Sequence, residues 1–296
     1  MTKAAVFGLG SMGYGMAASC VSAGVETYGY DPRTEAVARF VKEDGGRAAP
    51  FEEIGPTLDA VVIVVLNAAQ VERVLDEVLP VLTPGAVLLA CATVPPAFSR
   101  AMAQRTQARG VHYLDAPISG GAVKAASGAL SIMASGSAAA FDAASPVLDA
   151  MSEQIFHLGG EVGAGSAMKA VNQLLAGVHI AAMAEAMTFA ISQGIDPATF
   201  MDVIPNCAGT SWMLENRGPH IASADYTPRS QVDIWPKDLG IVLSIARDAG
   251  FPAPLTETAL ARFKEAAAAG LGSEDDAAVA KVYAREAGLA LPGFKP

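Results

Sequence analysis

Apolar runs and helical patterns alternate along the first half of the chain. The runs predict strands over residues 4–7, 26–30, 60–66, 86–91, 111–114 and 130–134. Patterns with the period of a helix lie between the early strands, near residues 12–23, 33–43, 69–79 and 97–109. Short strands that alternate with helices are typical of a parallel sheet, and the run at 61–66 is apolar on both sides, as an interior strand should be. We therefore predict a doubly wound parallel sheet with helices on both faces.

The second half of the chain loses the strand pattern and is dominated by helical periodicity. Helices are predicted near residues 166–193, 197–204, 236–249, 255–269 and 275–287, and the Gly/Pro-rich stretch 205–236 is predicted to be mostly irregular. Asp196 before Pro197 has the pattern of a helix N-cap. A chain of 296 residues is too long for a typical single core. We expect an α/β domain at residues 1–162 and an all-α domain at residues 163–296 that begins with a long helix.

Composition and charge narrow the class of protein. Hydrophobic residues make up 52% of the chain and charged residues 17%, which indicates a globular protein and not a disordered one. The net charge of −10, without a dense basic run, argues against nucleic acid and anionic membranes as partners. The apolar stretch near residues 170–184 contains Asn172, Gln173 and His179, so it predicts a buried helix and no membrane span.

The cysteines, the histidines and the N-terminal residues bear on the compartment. Cys20, Cys91 and Cys207 are widely spaced and predict reduced thiols in the core, without a CxxC pattern. The four histidines have no metal-ligand spacing, and no metal is expected. The first residues run directly into a strand pattern, with no room for a signal peptide. Together these features predict a cytoplasmic protein.

A glycine-rich loop follows the first predicted strand and opens a helix. Its residues are Gly8, Leu9, Gly10, Ser11, Met12 and Gly13. In this GxGxxG spacing the first glycine permits a tight turn, the second lets the backbone approach a pyrophosphate, and the third packs the helix on the strand. A glycine turn without a ligand is the alternative, but the position after a first strand favours a Rossmann dinucleotide-binding domain.

Asp31 ends the second predicted strand, 18 residues beyond Gly13. A carboxylate at this position accepts hydrogen bonds from a ribose 2′-hydroxyl and repels a 2′-phosphate, so NAD is favoured over NADP. Arg33 lies nearby in the sequence, and a nearby arginine is how a 2′-phosphate is accommodated, so NADP stays open as the second choice.

Three residues that follow later strands are further candidates for cofactor binding. Leu66 and Asn67 end the central apolar strand, and Thr93 comes after the strand that ends near residue 91. Ligands of doubly wound sheets bind at the carboxyl ends of the strands, which is where these residues are predicted to lie. Each of them is as readily explained as an ordinary loop residue.

Lys169 is the only cation at the head of the long apolar stretch. Burying a lysine disfavours its ammonium form and can move its pKa toward the working pH, which makes Lys169 a candidate acid/base. Asn172 follows at i+3 and Gln173 at i+4, so all three polar groups lie on one face of a helix.

Two other segments carry candidate contacts to a substrate. Ser119, Gly120 and Gly121 offer a hydroxyl and unobstructed backbone N–H groups, which suit a carboxylate, and an ordinary glycine turn is the alternative. Lys237 begins a predicted helix, where a cation opposes the helix dipole. That position hints at a functional role, and a merely exposed lysine is the alternative.

Four parts of the chain together resemble the β-hydroxyacid dehydrogenase family. They are residues 8–13, residues 115–121 with 128–130, residues 163–169 with Asn172, and residues 237–239, in family order and at family spacing. The resemblance implies a Rossmann domain followed by an all-helical domain, with Lys169 as the catalytic acid/base supported by Asn172. It also implies a substrate loop at residues 119–121 and cofactor contacts from Thr93 and Lys237.

Within that family, residues 224–240 look most like the L-threonate dehydrogenases, which oxidise a four-carbon sugar acid at C2 to 2-dehydro-L-erythronate. Trp235 and Pro236 depart from the Phe-Val expected there, in the wall of the substrate pocket. Oxidation of 3-hydroxyisobutyrate, or reduction of tartronate or glyoxylate semialdehyde, is the alternative, and an NAD-binding sensor without turnover is a remote one. The expected partner is a small hydroxy acid, and the apolar second domain predicts a homodimer or homotetramer.

Overall fold

The computed structural model describes residues 1–296 and contains two compact units. Contacts divide the chain into Met1–Lys169 and Ala170–Pro296. The division falls inside one helix, α8, which runs over Ala164–Ser192 and is introduced here ahead of the other elements. We keep the functional domain boundary at residue 163 as a proposal, since that helix begins directly after it.

A five-stranded parallel sheet forms the centre of the first unit. Its strands are β1 Lys3–Phe7, β2 Glu26–Tyr30, β3 Ala60–Ile63, β4 Val87–Ala90 and β5 His112–Asp115, in the order β2-β1-β3-β4-β5. The last residues of these strands are level with one another: Phe7 pairs with Tyr30 and Ile63, and Ala90 pairs with Ile63 and Asp115. The loops that carry the candidate site residues therefore leave the sheet along one edge.

Both faces of this sheet are buried, as the apolar strands predict. Val6 and Val62 belong to an apolar cluster on one face, and their neighbours Ala5 and Val61 belong to a second cluster on the other. Successive side chains of a strand point to opposite faces, so this alternation requires a cover on each side. The cover consists of α1 Gly13–Ser22, α2 Thr34–Asp44, α3 Phe51–Ile54, α4 Ala68–Val78, α5 Pro96–Gln107, α6 Gly121–Ala126 and α7 Ala138–Met151.

A smaller sheet of three strands completes the first unit. It contains β6 Ile118–Ser119, β7 Leu130–Ala134 and β8 Ser152–His157. Strand β7 pairs antiparallel with β6 and parallel with β8. Only β7 was predicted, because β6 has two residues and most positions of β8 are exposed and polar, so neither forms an apolar run.

The second unit is helical, as predicted, but one of its helices was missed. It contains residues 170–192 of α8. Its other helices are α9 Pro197–Val203, α10 Trp212–Ala222, α11 Ile234–Asp248, α12 Pro254–Ala266 and α13 Ala280–Ala287. The prediction of irregular structure over residues 205–236 was wrong for α10, whose first turn is capped by the hydroxyl of Ser211. The predicted N-cap at Asp196 is confirmed, because its carboxylate accepts from two N–H groups of α9.

Two expectations about burial need correction. Helix α8 is not buried on all sides: Met168, Val171, Leu175 and Phe189 are exposed and lie along one stripe. By length and composition alone α8 could cross a membrane, but the core helix of a soluble protein passes the same test, and one such helix is weak evidence. Cys207 is also exposed, because it lies on the surface after a short 3-10 turn, whereas the other two cysteines are buried.

Candidate active site

The glycine loop closes tightly on β1 and leaves its outer side open. A Cβ at Gly13 would lie 1.8 Å from the carbonyl oxygen of Gly8, so only glycine fits there. A Cβ at Gly10 would meet no atom within 4 Å, which leaves room over the loop. Helix α1 begins at Gly13 without a side-chain cap. Its first N–H groups and the positive end of its dipole are therefore available to an anion, and the loop fits the pyrophosphate of a dinucleotide.

The carboxylate of Asp31 is fixed beside this loop. Its Oδ2 accepts the backbone N–H of Leu9 at 2.8 Å, and its Oδ1 accepts Nε of Arg33 at 2.9 Å. The hydrogen bond from Arg33 holds the pKa of Asp31 below its ordinary value, although partial burial acts against it. Asp31 is therefore an ionised acceptor directly after β2, and its contact with a ribose stays a prediction. Arg33 also donates to the carbonyl oxygen of Leu9, so both residues border the same loop.

Leu66, Asn67 and Thr93 lie on the same edge of the sheet, after β3 and β4. Leu66 is exposed and donates its backbone N–H to the side chain of Gln70 at 2.8 Å. The side chain of Asn67 accepts the N–H of Gln70 and so caps α4. Thr93 is half-buried. The structural role of Asn67 is therefore to cap α4. Contact of these three residues with the cofactor stays a prediction.

Lys169 lies in the first turns of α8 and is buried, with 9% of its surface exposed. Its Nζ donates to the carbonyl oxygen of Ile118 at 2.9 Å. Ile118 directly precedes Ser119, and Gly120 and Gly121 follow with φ angles of 134° and 76°. The structure therefore brings the amine of Lys169 to the beginning of the predicted substrate loop, a proximity that sequence spacing alone could not provide.

A buried carboxylate that was not predicted as a site residue lies next to this segment. Asp115 ends β5 and is fully buried among three hydroxyls, and we call Asp115 with Ser99, Ser135 and Ser166 the hydroxyl cluster. Ser166 donates to Asp115 at 2.6 Å, and Ser99 and Ser135 each donate at 3.3 Å. Burial raises the pKa of Asp115, and the hydrogen bonds from Ser166 act against this rise. The sequence signal that could have identified Asp115 as a site residue is a charged residue at the end of an apolar strand.

In the second unit a chain of polar contacts links Asn172 with Lys237. Asn172 donates to Gln173 at 2.9 Å, and Gln173 donates to Asp238 at 2.5 Å. Nζ of Lys237 lies 2.6 Å from the other oxygen of Asp238. Asp238 is 3% exposed; it pairs with Lys237 directly and is linked to Asn172 through Gln173. Neither Gln173 nor Asp238 was predicted as a site residue.

Trp235 is a core residue of the second unit. It is buried, its ring stacks on Phe263, and its Nε1 donates to Asp276 at 3.0 Å. Asp276 also accepts from Arg217 at 2.6 Å, and the adjacent Asp275 pairs with His220. We call this buried group the ionic cluster; its members are Arg217, His220, Trp235, Asp275 and Asp276. The departure from the family pattern at residue 235 therefore bears on packing.

Family models match both parts of the chain. The model of the NAD binding domain of 6-phosphogluconate dehydrogenase matches residues 3–159. The model described as the NAD-binding domain of NADP-dependent 3-hydroxyisobutyrate dehydrogenase matches residues 163–283.

Full-length relatives agree with these matches. An L-threonate dehydrogenase of Cupriavidus necator is 47% identical over 97% of each chain, and one of Escherichia coli K12 is 46% identical over 98% of this chain and 96% of the relative. A solved structure described as 3-hydroxyisobutyrate dehydrogenase from Salmonella typhimurium is 47% identical, with a TM-score of 0.90 over 95% of this chain and 100% of that one. The predicted Rossmann and helical architecture is confirmed, and the chain belongs to the β-hydroxyacid dehydrogenase family as an NAD(P)-dependent hydroxyacid dehydrogenase.

Proposed function

We propose that the protein oxidises L-threonate at C2 to 2-dehydro-L-erythronate with NAD. The observation that carries this proposal is the identity of 45–47% over nearly the whole chain to relatives named L-threonate dehydrogenase. The main alternative is 3-hydroxyisobutyrate, because the Salmonella structure named for that substrate is also 47% identical. Reduction of a tartronate or glyoxylate-derived semialdehyde uses the same chemistry in reverse.

Oxidation of a hydroxy acid removes a hydride from the carbinol carbon and a proton from its hydroxyl. Bound NAD would supply the acceptor for this hydride, and loss of the hydride and the proton would leave a carbonyl at the carbinol carbon. We assign the proton to Nζ of Lys169, which would return it in the reverse direction. The carbonyl oxygen of Ile118 fixes the direction of this amine at 2.9 Å, next to the loop at residues 119–121. That loop would hold the substrate carboxylate and so determine which carbon is oxidised.

The remaining site residues keep the roles that the sequence predicts for them. Residues 8–13 and Asp31 would bind the pyrophosphate and the ribose, and the open side of Gly10 and the fixed carboxylate support this. Asn172 would orient the hydroxyl or the amine. Lys237 would contact cofactor or substrate, and its pairing with the buried Asp238 limits the directions in which its amine can point.

A panel of substrates tests the proposal directly. The purified protein is assayed for NADH formation with L-threonate, D-threonate, 3-hydroxyisobutyrate and L-serine, and for NADH consumption with tartronate semialdehyde. L-threonate is expected to give the highest kcat/KM, by at least about 10-fold over each competitor. A higher value for 3-hydroxyisobutyrate would overturn the substrate assignment, and NAD binding without turnover on any member would favour a sensor.

We also propose a homodimer or homotetramer in the cytoplasm. The exposed residues Met168, Val171, Leu175 and Phe189 support the assembly, because a contiguous apolar stripe on one helix is costly to leave in water. Light scattering after size exclusion gives the mass in solution. A monomer at micromolar concentration would contradict this part of the proposal.

A further inference from the structure

Helix α8 begins without a cap of its own. Its N-terminus follows Gly163, which has no side chain, and its first turn contains no acidic residue. The first N–H groups of any helix lack partners within the helix and need acceptors from elsewhere. Gly163, Gly165 and Ser166 are buried at this helix start, so water cannot supply all of those acceptors.

Distant residues of the first unit provide the acceptors. Oδ2 of Asp115 accepts the N–H of Gly163 at 3.0 Å and the N–H of Ser166 at 2.8 Å. Oγ of Ser135 accepts the N–H of Gly165 at 3.0 Å. Asp115 and Ser135 also pair with each other through their backbones in both directions. The cap is therefore built on the end of the central sheet.

The backbone of the helix start also packs directly against the backbone of β7 and the end of β5. A Cβ at Gly165 would lie 2.4 Å from the carbonyl oxygen of Met133 and 2.7 Å from that of Asp115. Only a glycine allows this approach, since real Cβ atoms do not come so close to backbone. Contact of backbone with backbone, and hydrogen bonds that the N–H groups of the turn donate to Asp115 and Ser135, thus fix the same turn.

Lys169 comes three residues after Ser166, and its amine is bound by the same short segment. Asp115 holds the helix start, and Ile118, three residues further on, accepts from Nζ of Lys169. We propose that Asp115 is a positioning residue for Lys169. By holding the start of α8, Asp115 sets the register of the helix, and this register places the amine of Lys169 at Ile118 and at the loop of residues 119–121. This inference rests on the proposed role of Lys169 as the acid/base.

The geometry separates positioning from the effect of charge. Both backbone N–H groups donate to Oδ2, whereas Oδ1 faces only the hydroxyls of Ser99 and Ser166. In D115N the amide oxygen can keep the two N–H donors, and the amide nitrogen can donate to hydroxyls that rotate to accept. D115N therefore preserves the cap without the charge, and D115A removes both.

Kinetics of these variants with L-threonate and NAD test the proposal. D115A is expected to lower kcat by roughly 100-fold, as a misplacement of about 1 Å can, while the Kd for NAD changes by less than about threefold. D115N is expected to restore kcat to within about fivefold of the wild type. The matched control is S137A, which removes the cap of α7 in the same unit and should lower stability by about 1 kcal/mol with kcat unchanged.

Hydrogen exchange gives a second measurement that does not depend on turnover. The peptide that covers residues 163–169 should exchange faster in D115A than in wild type or D115N, and S137A should leave it unchanged. If D115A does not fold, S135A replaces it. This variant removes the acceptor of the Gly165 N–H and the hydroxyl that donates to Asp115 at 3.3 Å, and kcat should fall by about 10-fold. Unchanged exchange and kcat in D115A, or a D115N as impaired as D115A, would overturn the proposal. Wild-type protein inactive on every substrate would refute the proposed function, and the exchange data would still decide the inference.

Discussion

The two buried acidic clusters of this protein are held in different ways. In the hydroxyl cluster Asp115 accepts hydrogen bonds from backbone N–H groups and serine hydroxyls. In the ionic cluster Asp276 and Asp275 are held by Arg217 and His220. Neutral donors placed around a carboxylate chiefly fix its geometry, whereas an arginine chiefly balances its buried charge. We therefore expect changes at the first cluster to impair turnover and changes at the second to impair folding.

Replacing Lys169 by methionine should have the largest effect of all, and on turnover alone. Loss of a general acid/base typically costs about 10²- to 10⁴-fold, so kcat of K169M should fall in that range. The fold should persist, with a change of less than about 1 kcal/mol in the free energy of unfolding, because methionine keeps the length and apolar stem of the side chain. Steady-state kinetics and urea unfolding measure the two quantities. Near-normal kcat would remove Lys169 from the chemistry.

The opposite pattern is expected for R217M in the ionic cluster. Removing this arginine leaves Asp276 buried without its cation, which should lower the free energy of unfolding by about 3–5 kcal/mol. The matched control is R262M: Arg262 pairs with Glu265 and Glu286 at the surface, and its loss should cost less than about 1 kcal/mol. Urea unfolding compares the two. Equal losses of unfolding free energy in R217M and R262M would show that burial of the Arg217–Asp276 pair does not increase its contribution to stability.

The two clusters also mark how far sequence patterns reach. The strands of the central sheet, the glycine loop and Asp31 were predicted because their signals are local: an apolar run, a glycine spacing and an aspartate at a strand end. The cap of α8 was not, because Asp115 meets Gly163 and Ser166 across 48 and 51 residues. Residues such as Trp235 show the same limit, since motif position suggested a pocket wall, and only packing against Phe263 revealed a core residue.

Asp31 combines both kinds of partner and should give an intermediate effect. It accepts a backbone N–H from Leu9, like Asp115, and a guanidinium from Arg33, like Asp276. If it also binds the ribose, D31A should lower kcat/KM for NAD by about 10- to 100-fold, the worth of hydrogen bonds to a charged group, and should spare NADP. D59A is the control, because Asp59 accepts the N–H of Lys3 at the opposite edge of the same sheet. An unchanged preference in D31A would assign selectivity to another residue.

The smallest expected effect is a difference in the sign of pH dependence between the clusters. Burial raises the pKa of Asp115. For Asp275, burial is outweighed by the hydrogen bonds from His220 and from the N–H of Arg229, so its pKa is lowered. Since an unfolded aspartate has a pKa of about 3.9, the stabilising contribution of Asp275 is present above that pH and is lost as the pH falls through the lowered value. The stabilising contribution of Asp115 is complete below about pH 3.9 and declines as the pH rises through the raised pKa of Asp115.

Urea unfolding of D275N and D115N against wild type, at several pH values between about 3 and 6, measures this difference. The stability gap of D275N should narrow as the pH falls, and the gap of D115N should narrow as the pH rises, each by about 1.4 kcal/mol for every unit by which the pKa is shifted. Cys91, which faces Asp115, does not titrate in this range because burial raises its pKa to about 12. Slopes of the same sign would contradict the opposite pKa shifts of Asp115 and Asp275, and the contrast between the two clusters would then lie in geometry alone.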